Sequence, residues 1–433
     1  MRRSLLPLAR SLALLAFATS AGAFARDYRV TLPATDTTRV GQVVSFSLPA
    51  DAAKTATLRD AARHVIPLQT DIDGTIRFIV STQKSGESLT FTLTAATASP
   101  SSSEAPSPSA TPASATPAPT PAPTGVTIAP DAAHHGDLRI SVAGRPVLFY
   151  RVDRAAVPRT DIKPEIFRAG YIHPVFSPAG HLVTDDYPSN HVHHHGIWTP
   201  WTKTEFQGRS PDFWNMQNKT GFEDLVAVDR TWSGPVHGGL EARLHSVDLT
   251  APAPVTALNS TWQLTVYDVP GTPTPVRMFD LLVTHACATA DALDLPQYHY
   301  GGFGFRGNGA WNGPGTAARF LTSEGITDRV KGNDSRARWC YLGGAVTPAG
   351  DLAGTTVLGH PDNFRAPQPL RLHPDMPYFS FVPQQLGAFA IEPGKPYVAR
   401  FRFIMTDGAP DRAFLDACWQ GYAQPAVAKL TPL

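Results

Sequence analysis

The sequence predicts an all-β protein, made of a large antiparallel β-sandwich and a small N-terminal β-sandwich domain. Apolar and polar residues alternate in nearly every segment rich in β-branched and aromatic residues, which is typical of half-buried antiparallel strands. The chain holds 41 prolines in 433 residues, roughly twice the usual share, and proline favours turns over helices. Helical periodicity is clear only in residues 411–421, where Asp411 is expected to cap a helix and Gly421 to end it.

Residues 1–25 predict a secretory signal peptide. Arginines at positions 2 and 3 precede an apolar run at 5–18, and small residues allow cleavage after Ala23 or Ala25. The run is shorter than the ~20 apolar residues that a membrane-spanning helix needs. We therefore expect an exported protein, periplasmic or extracellular, without a membrane span.

The rest of the chain is expected to form two β domains joined by a linker. Residues 27–96 alternate in several short segments and carry no cluster of histidines, cysteines or carboxylates, so they predict a small accessory domain. Residues 97–124 hold eight prolines among Ser, Thr and Ala, which is typical of a disordered linker. A flexible linker of this length predicts two independently mobile bodies.

The large β-sandwich domain is expected to comprise residues 125–433. Nearly all of its predicted strands alternate, and they lie at 138–142, 146–152, 240–249, 260–267, 276–284, 378–382 and 397–405. In the small domain the corresponding segments are 28–32, 43–48, 75–80 and 89–93.

Charge and cysteine content exclude several classes of protein. Lysine and arginine number 37 against 36 acidic residues, a net charge of +1, so there is no electrostatic case for a nucleic-acid partner or an anionic membrane. Three cysteines are too few for a disulfide scaffold. The expected partner is a carbohydrate or another small molecule.

Histidines are concentrated in one short stretch. Six of the 15 histidines lie between residues 171 and 195. If the segment 191–195 is extended, His191, His193 and His195 point to one side, because side chains alternate along a strand. That arrangement would suit a zinc or copper ion completed by water, or a mixed site with Asp185, Asp186 or Asp212 as an oxygen ligand. General acid–base catalysis by one imidazole, tuned by a second imidazole or an aspartate, is the metal-free alternative.

Aromatic residues near the histidines favour a sugar ligand. Four of the eight tryptophans, Trp198, Trp201, Trp214 and Trp232, fall within 35 residues. Indole faces pack against the C–H faces of sugar rings, while polar side chains bond the hydroxyl groups. Together these residues predict a carbohydrate pocket, although each tryptophan alone is more typical of a core.

Two later segments are candidates for the same pocket. Residues 297–306 place glycines among aromatics and end in Arg306, which suits either a ligand wall or a β-bulge. Residues 360–367 contain His360, Asn363 and Arg365, which are expected either to reach the pocket or to hold a turn.

These segments resemble an uncharacterised bacterial family labelled "PmoA-like" or "methane oxygenase PmoA family", of the DUF6807 type. The resemblance covers most of 138–408. It is carried by four ordered motifs: Tyr-Ile-His-Pro at 171–174 with Ser-Pro-Ala-Gly at 177–180, His-x-His-His-x-Gly at 191–196 with Asp-Phe-Trp at 212–214, Tyr-Gly-Gly-Phe-Gly-Phe-Arg at 300–306, and His-Pro-x-Asn-x-Arg at 360–365. Here Val192 and His195 stand where members often have proline and arginine.

The resemblance implies a fold similar to the galactose-mutarotase supersandwich. Family members are similar to exported proteins of carbohydrate-degrading bacteria, which implies a carbohydrate ligand. The label implies a copper-dependent membrane oxygenase, whereas this chain is expected to be exported and β-rich, so we expect the label to be a misnomer for its activity.

The leading hypothesis is an exported carbohydrate-active enzyme, a hydrolase, lyase or epimerase. The predicted catalytic residues are His191, His193, His194 and Asp212. The predicted substrate-binding residues are His173, Trp198, Trp214, Tyr300, Arg306, His360, Asn363 and Arg365. A non-catalytic glycan-binding protein is the second hypothesis, and a copper or zinc redox enzyme, with His191, His193 and His195 as ligands, is the third.

Overall fold

The structure, a computed structural model, describes residues 25–48, 56–96, 124–313 and 317–433. The predicted signal peptide, apart from Ala25, and the predicted linker, apart from Thr124, lie outside the described residues. The strands in chain order, β1 to β26, are Ala25–Leu32, Arg39–Ser47, Thr57–Arg59, Val65–Ile66, Gln69–Thr70, Thr75–Gln83, Leu89–Ala96, Val126–Asp131, Asp137–Val142, Arg145–Arg151, Tyr171–Val175, Ile197–Trp198, Gly221–Trp232, His237–Asp248, Val255–Tyr267, Val276–Cys287, Leu293–Leu295, Gly304–Arg306, Arg319–Thr322, Trp339–Ala345, Leu352–Gly359, Leu370–Leu372, Tyr378–Phe381, Phe389–Ile391, Tyr397–Asp407 and Lys429–Pro432. The α-helices α1 and α2 are Arg329–Gly332 and Arg412–Ala423.

Two eight-stranded sheets form the large sandwich, which confirms the predicted fold class. One sheet has the order β22-β23-β18-β12-β11-β10-β9-β8, and the other β13-β14-β15-β16-β25-β21-β20-β19. The paired strands are antiparallel, and their apolar faces meet in one continuous core that includes Ile172, Trp262 and Phe403. Burial alternates along β14 and β15, because each strand turns one face to this core.

The first of these sheets positions the histidine-rich segment. Strand β12 pairs with β11 on one side and with β18 on the other, and β18 pairs with β23. The loop between β11 and β12 holds five of the six histidines that lie between residues 171 and 195. Residues far apart in sequence, such as His173, Arg306 and Tyr378, are thereby placed on nearby strands of one sheet, β11, β18 and β23.

The small domain is a sandwich of a five-stranded sheet, β26-β1-β7-β3-β4, and a three-stranded sheet, β2-β6-β5. Its core packs Val44, Phe78 and Leu93 together. Strand β26, at the far end of the chain, pairs along β1. The small domain is therefore completed by residues that the sequence assigned to the large domain.

Further contacts join the two domains, which differs from the prediction of two independently mobile bodies. The Arg402 guanidinium donates to the Gly41 carbonyl oxygen at 3.0 Å, and the Ala426 N–H donates to the Gln42 side chain at 3.1 Å. The side chain of Gln69 accepts from the N–H of Val236 at 3.1 Å. Because strand β26 and these hydrogen bonds join the two domains, the domains are not independently mobile.

Helix α2 packs between the domains. Asp411 caps it as predicted, since its carboxylate accepts from the N–H of Ala413 at 2.9 Å. The prediction that Gly421 ends the helix is wrong, because α2 continues to Ala423. A Cβ at Gly421 would lie 2.4 Å from the Val40 carbonyl oxygen, so the glycine lets the helix approach β2 closely.

No helix among the described residues is long and apolar enough to cross a membrane. The cysteines Cys287, Cys340 and Cys418 are all free thiols.

Candidate functional site

The segment 191–195 is a turn, so the extended conformation that would bring His191, His193 and His195 to one side is not present. The His194 N–H donates to the His191 carbonyl oxygen at 2.9 Å, a bond within the segment that an extended strand cannot make. Alternation of side chains therefore does not apply. His191, His193 and His194 lie together, while His195 makes a separate set of contacts.

A fourth histidine joins the first three. The ring centroids of His191 and His193 both lie 4.9 Å from that of His194, and His191 lies 5.9 Å from His373. His373 comes from the turn between β22 and β23. No sequence pattern indicated this residue, because its approach to the other three histidines depends on strand pairing. We call His191, His193, His194 and His373 the imidazole cluster.

An aromatic wall lies behind the cluster. The ring of His194 is 4.9 Å from that of Tyr378 and 5.2 Å from that of Trp198, and Trp198 contacts Trp214 at 4.7 Å. A Cβ at Gly304 would lie 2.7 Å from Trp214, which explains the glycine in this aromatic segment. Both indoles are fully buried, so as placed they offer no open face for a sugar ring to stack on.

Several polar atoms of the cluster and its wall are buried without a partner among the described residues. They are Nδ1 of His191, Nδ1 of His194, and Nε1 of Trp198 and of Trp214. A buried polar atom without a hydrogen bond costs about 1–3 kcal/mol. Such atoms are rare in native proteins and concentrate where a ligand or water completes the bonding.

The cluster is neutral near pH 7. Burial lowers the pKa of His193 to about 3 and that of His373 to about 4. Burial also lowers the pKa of His191 and, more strongly, that of His194. After burial, the next cause of these lowered pKa values is electrostatic: the charge of Arg306 and the neighbouring imidazoles disfavour a further positive charge. Each ring can therefore accept a proton or a hydrogen bond through one nitrogen.

Arg306 is completely buried next to the cluster. Its Nη2 donates to the side-chain oxygens of Asn312 at 2.6 Å and of Asn190 at 3.3 Å. The closest carboxylate, Asp185, has Oδ2 at 3.8 Å from Nε, which is beyond hydrogen-bond distance. Burial lowers the pKa of Arg306 to about 10, so the guanidinium remains a cation at neutral pH.

His195 belongs to a second group, behind the aromatic wall. Its Nδ1 is 2.7 Å from Oδ1 of Asp186, whose Oδ2 accepts from the Tyr171 hydroxyl at 2.9 Å. An ionised Asp186 only accepts, so His195 then carries its proton on Nδ1 and leaves Nε2 as the acceptor. His173 lies near this pair, with Nδ1 at 2.9 Å from the Thr184 hydroxyl.

Comparison with known families identifies the chain by its large domain. Residues 137–420 match a family described as "Family of unknown function (DUF6807)". The chain belongs to this family. The match includes the imidazole cluster and Arg306 and leaves out the small domain, and its description assigns no activity.

Comparison with solved structures finds two proteins from Enterococcus faecalis. An alpha-mannosidase is 11% identical with a TM-score of 0.40, and a protein in glycosyl hydrolase family 38 is 10% identical with a TM-score of 0.37. Each alignment covers 94% of this chain but only 46% and 47% of the other protein, so this chain spans about half their length. Among curated proteins, none matches this DUF6807 chain.

Asp212 does not contact the histidines of this DUF6807 chain. Its carboxylate accepts from the N–H of Trp214 at 3.0 Å and from the side-chain amide of Asn215 at 2.8 Å. Asn215 also donates to the Tyr300 hydroxyl at 3.0 Å. The predicted role of Asp212 in tuning an imidazole is therefore wrong, because the acid holds its own turn and, together with Asn215 and Tyr300, lines a pocket that contains no histidine among the described residues.

His360, Asn363 and Arg365 lie away from the imidazole cluster. Asn363 donates to the Arg400 carbonyl oxygen at 2.8 Å and accepts from the Arg400 N–H at 2.8 Å. Arg365 donates to backbone carbonyl oxygens, including that of Pro383 at 2.8 Å, and His360 packs against Tyr422. This motif fastens a turn to β25, which is the structural alternative that the sequence left open.

The predicted metal ligands do not converge. His195 bonds Asp186, while His191 and His193 contact His194. In the part of the chain that the structure describes, no three histidine, cysteine or carboxylate side chains are grouped as a metal site requires.

Proposed function

We propose that this chain is an exported carbohydrate-active enzyme that transfers protons through a neutral imidazole, as a lyase or an epimerase does. The observation that carries the proposal is the imidazole cluster, whose buried ring nitrogens lack protein partners. Export is supported by the signal-like pattern of residues 1–25.

A proton-transfer reaction suits the site better than glycoside hydrolysis. Glycosidases generally place two carboxylates on either side of the scissile bond. Here Asp186 is bonded by His195 and Tyr171, and Asp185 faces Arg306. The groups left to react are imidazoles, which are well suited to abstract a proton.

His193 is the proposed base. Its ring is half-buried, whereas His194 is buried behind it, and it makes no hydrogen bond with a described residue. A substrate can therefore reach His193 without displacing a protein partner. His191 and His194 are proposed to bond substrate hydroxyl groups, since each has an unpartnered nitrogen.

Tyr378 is the proposed proton donor. Its ring lies 4.9 Å from His194, and burial raises its pKa far above neutrality. The phenol therefore keeps its proton until a leaving oxygen approaches it. The proposed base lies in the turn between β11 and β12, and the proposed acid lies on β23 of the same sheet; His194, which contacts both rings, lies between them. A base and an acid held in this way meet the geometric need of elimination and epimerisation.

Turnover by the purified protein tests the proposal. A panel of neutral and acidic oligosaccharides is incubated with the wild type, with His193→Ala and with the control His181→Ala. His181 lies in the same loop but makes no side-chain hydrogen bond with a described residue. Loss of turnover in His193→Ala alone supports the proposal. Full activity of His193→Ala on a substrate that the wild type converts would overturn it.

A further inference from the structure

Arg306 carries hydrogen-bonding capacity that the protein does not use. Its Nε and Nη1 have no partner among the described residues, although the side chain is completely buried. Removing a cation from water costs several kcal/mol unless a counter-charge compensates it. The carboxylate of Asp185, at 3.8 Å, leaves that compensation incomplete.

We propose that Arg306 binds the carboxylate of a uronic acid residue in the substrate. This inference rests on the proposed function, because it names the substrate class for the same site. A guanidinium presents its N–H groups in a planar fork that matches a carboxylate, and such pairs are commonly bidentate. A neutral sugar would leave the buried charge uncompensated.

The position of Arg306 is fixed by the sheet. Its backbone N–H donates to the Gly196 carbonyl oxygen at 2.8 Å, and the Asp185 N–H donates to the Arg306 carbonyl oxygen at 3.2 Å. Gly196 ends the histidine-rich turn, so these bonds set the guanidinium beside the imidazole cluster. A site built on strands holds its groups more precisely than a site on loops.

Two asparagines lie between the guanidinium and solvent. Asn190 is exposed and Asn312 is half-buried, and their side-chain oxygens share the Nη2 of Arg306. Both amides are neutral, so neither cancels the charge. The Arg306 guanidinium therefore remains able to form a charge-assisted hydrogen bond with an anion that enters the site beside Asn190.

Arg306 also explains part of the low basicity of the cluster. Its charge is among the causes that lower the pKa of His191, His193 and His194. A carboxylate paired with Arg306 would remove that repulsion, so substrate binding would make the imidazoles stronger bases. A neutral substrate has no such effect.

The chemistry follows from placing a uronate carboxylate on Arg306. The C5 proton of a uronate is α to the carboxylate, and pairing with a cation makes its removal easier. His193 accepts that proton, the C5–H electron pair forms the C4–C5 double bond, and the C4–O bond breaks. Tyr378 gives its proton to the leaving oxygen. His193 then releases the C5 proton to solvent and Tyr378 takes one up from solvent, so both side chains return to their starting forms and no oxidant or reductant is needed. Return of a proton to C5 from the opposite face, without loss of the C4 substituent, would be epimerisation.

Calorimetric titration with oligogalacturonate and oligoglucuronate tests the subsite, with the fully methyl-esterified oligomers as neutral counterparts. We expect the acids to bind at least tenfold more tightly than their esters, which corresponds to about 1.4 kcal/mol. Arg306→Gln should abolish that preference. Equal binding of acid and ester by the wild type, or no binding of either acid, would overturn the subsite.

Asn190→Asp tests the same point without changing a buried residue. It places a carboxylate on the exposed side of Arg306, where the native oxygen lies 3.3 Å from Nη2. We expect it to weaken uronate binding about tenfold and to leave ester binding unchanged, whereas Ser189→Asp adds the same charge one residue away and should have little effect. Equal affinities of the two variants for the acids would contradict the inference.

The experiments distinguish failure of the uronate subsite from failure of the proposed enzyme activity. Turnover of neutral glycans alone, lost in His193→Ala, supports the enzyme and removes the uronate subsite. Arg306-dependent uronate binding without turnover of any glycan supports the subsite and removes the enzyme.

Discussion

The Nδ1 atom of His195 lies 2.7 Å from Oδ1 of Asp186, and the two side chains are 0% and 6% exposed. This pair sits directly behind the residues that contact the imidazole cluster, since the ring of His195 also contacts Tyr171 at 4.3 Å and Trp198 at 5.9 Å. The pair therefore links a buried acid to the aromatic wall.

We expect His195→Ala to lower the free energy of unfolding by about 2 kcal/mol, because it leaves the buried carboxyl group of Asp186 without the hydrogen bond from Nδ1 of His195. Burial already raises the pKa of Asp186, and loss of His195 should raise it further. Urea unfolding at pH 7 measures the change, with His181→Ala as the control. A loss below 1 kcal/mol, equal to that of the control, would show that the pair contributes little.

The second prediction concerns activity. We expect His193→Ala to reduce kcat by 10²–10⁴, the range for loss of a general base, while His181→Ala stays near the wild type. The low pKa of His193, about 3, keeps the free enzyme in its basic form at neutral pH. With the substrate identified above, kcat/KM should thus be flat between pH 5 and 8. An ascending limb centred near pH 6.5 would contradict the assignment, because it would report an imidazole of ordinary basicity.

Strand patterns predicted most of the large sandwich, because alternation is a local consequence of one buried face. The predicted segments 240–249 and 276–284, for example, lie almost entirely within β14 and β16. Alternation gave no information on pairing, so the sequence could not show that β26 completes the small domain.

The candidate site was predicted only in part, for the same reason. The density of histidines located it, and Arg306 was included through its glycine-rich segment. His373 and Tyr378 were missed, since they reach the cluster through the pairing of β23 with β18. Asp212 was wrongly included because it follows the cluster closely in sequence, and proximity along a chain does not make two side chains face each other.

The third prediction is loss of stability in acid. Burial lowers the pKa of His285 to about 3, whereas the unfolded residue titrates near 6.5. Below pH 6.5 His285 binds a proton in the unfolded state but not in the folded state. The free energy of unfolding therefore falls as the pH falls, and this loss continues until the pH reaches the folded-state pKa of about 3. We expect a slope of about 1.4 kcal/mol per pH unit from this residue.

His285→Phe measures that contribution. The variant keeps an aromatic ring next to Trp201 and Tyr397 but cannot titrate, although it loses the bond to Ser260. We measure the free energy of unfolding in urea at pH 7, 6 and 5. It should depend less steeply on pH in the variant than in the wild type, whatever the difference in stability between the two proteins at pH 7. Parallel pH dependences would show that the buried imidazole does not titrate differently on unfolding.

The last prediction concerns the contact between the domains. Nδ1 of His237 accepts from the Trp232 indole at 3.0 Å, and the opposite nitrogen, Nε2, lies 2.9 Å from Oδ1 of Asp71 in the small domain. The indole only donates, so Nε2 must carry the proton and donate to Asp71. We expect Asp71→Ala to cost about 2 kcal/mol, because it leaves a buried donor unpaired and also removes the partner of Arg77.

Asp36→Ala is the matched control, since Asp36 is an exposed acid of the same domain whose side chain bonds no described residue. Urea unfolding followed by tryptophan fluorescence reports the contact, because Trp232 lies in it. If Asp71→Ala unfolds in one transition at the same urea concentration as Asp36→Ala, the hydrogen bond from His237 does not hold the domains together, and docking must rest on β26 and helix α2 instead.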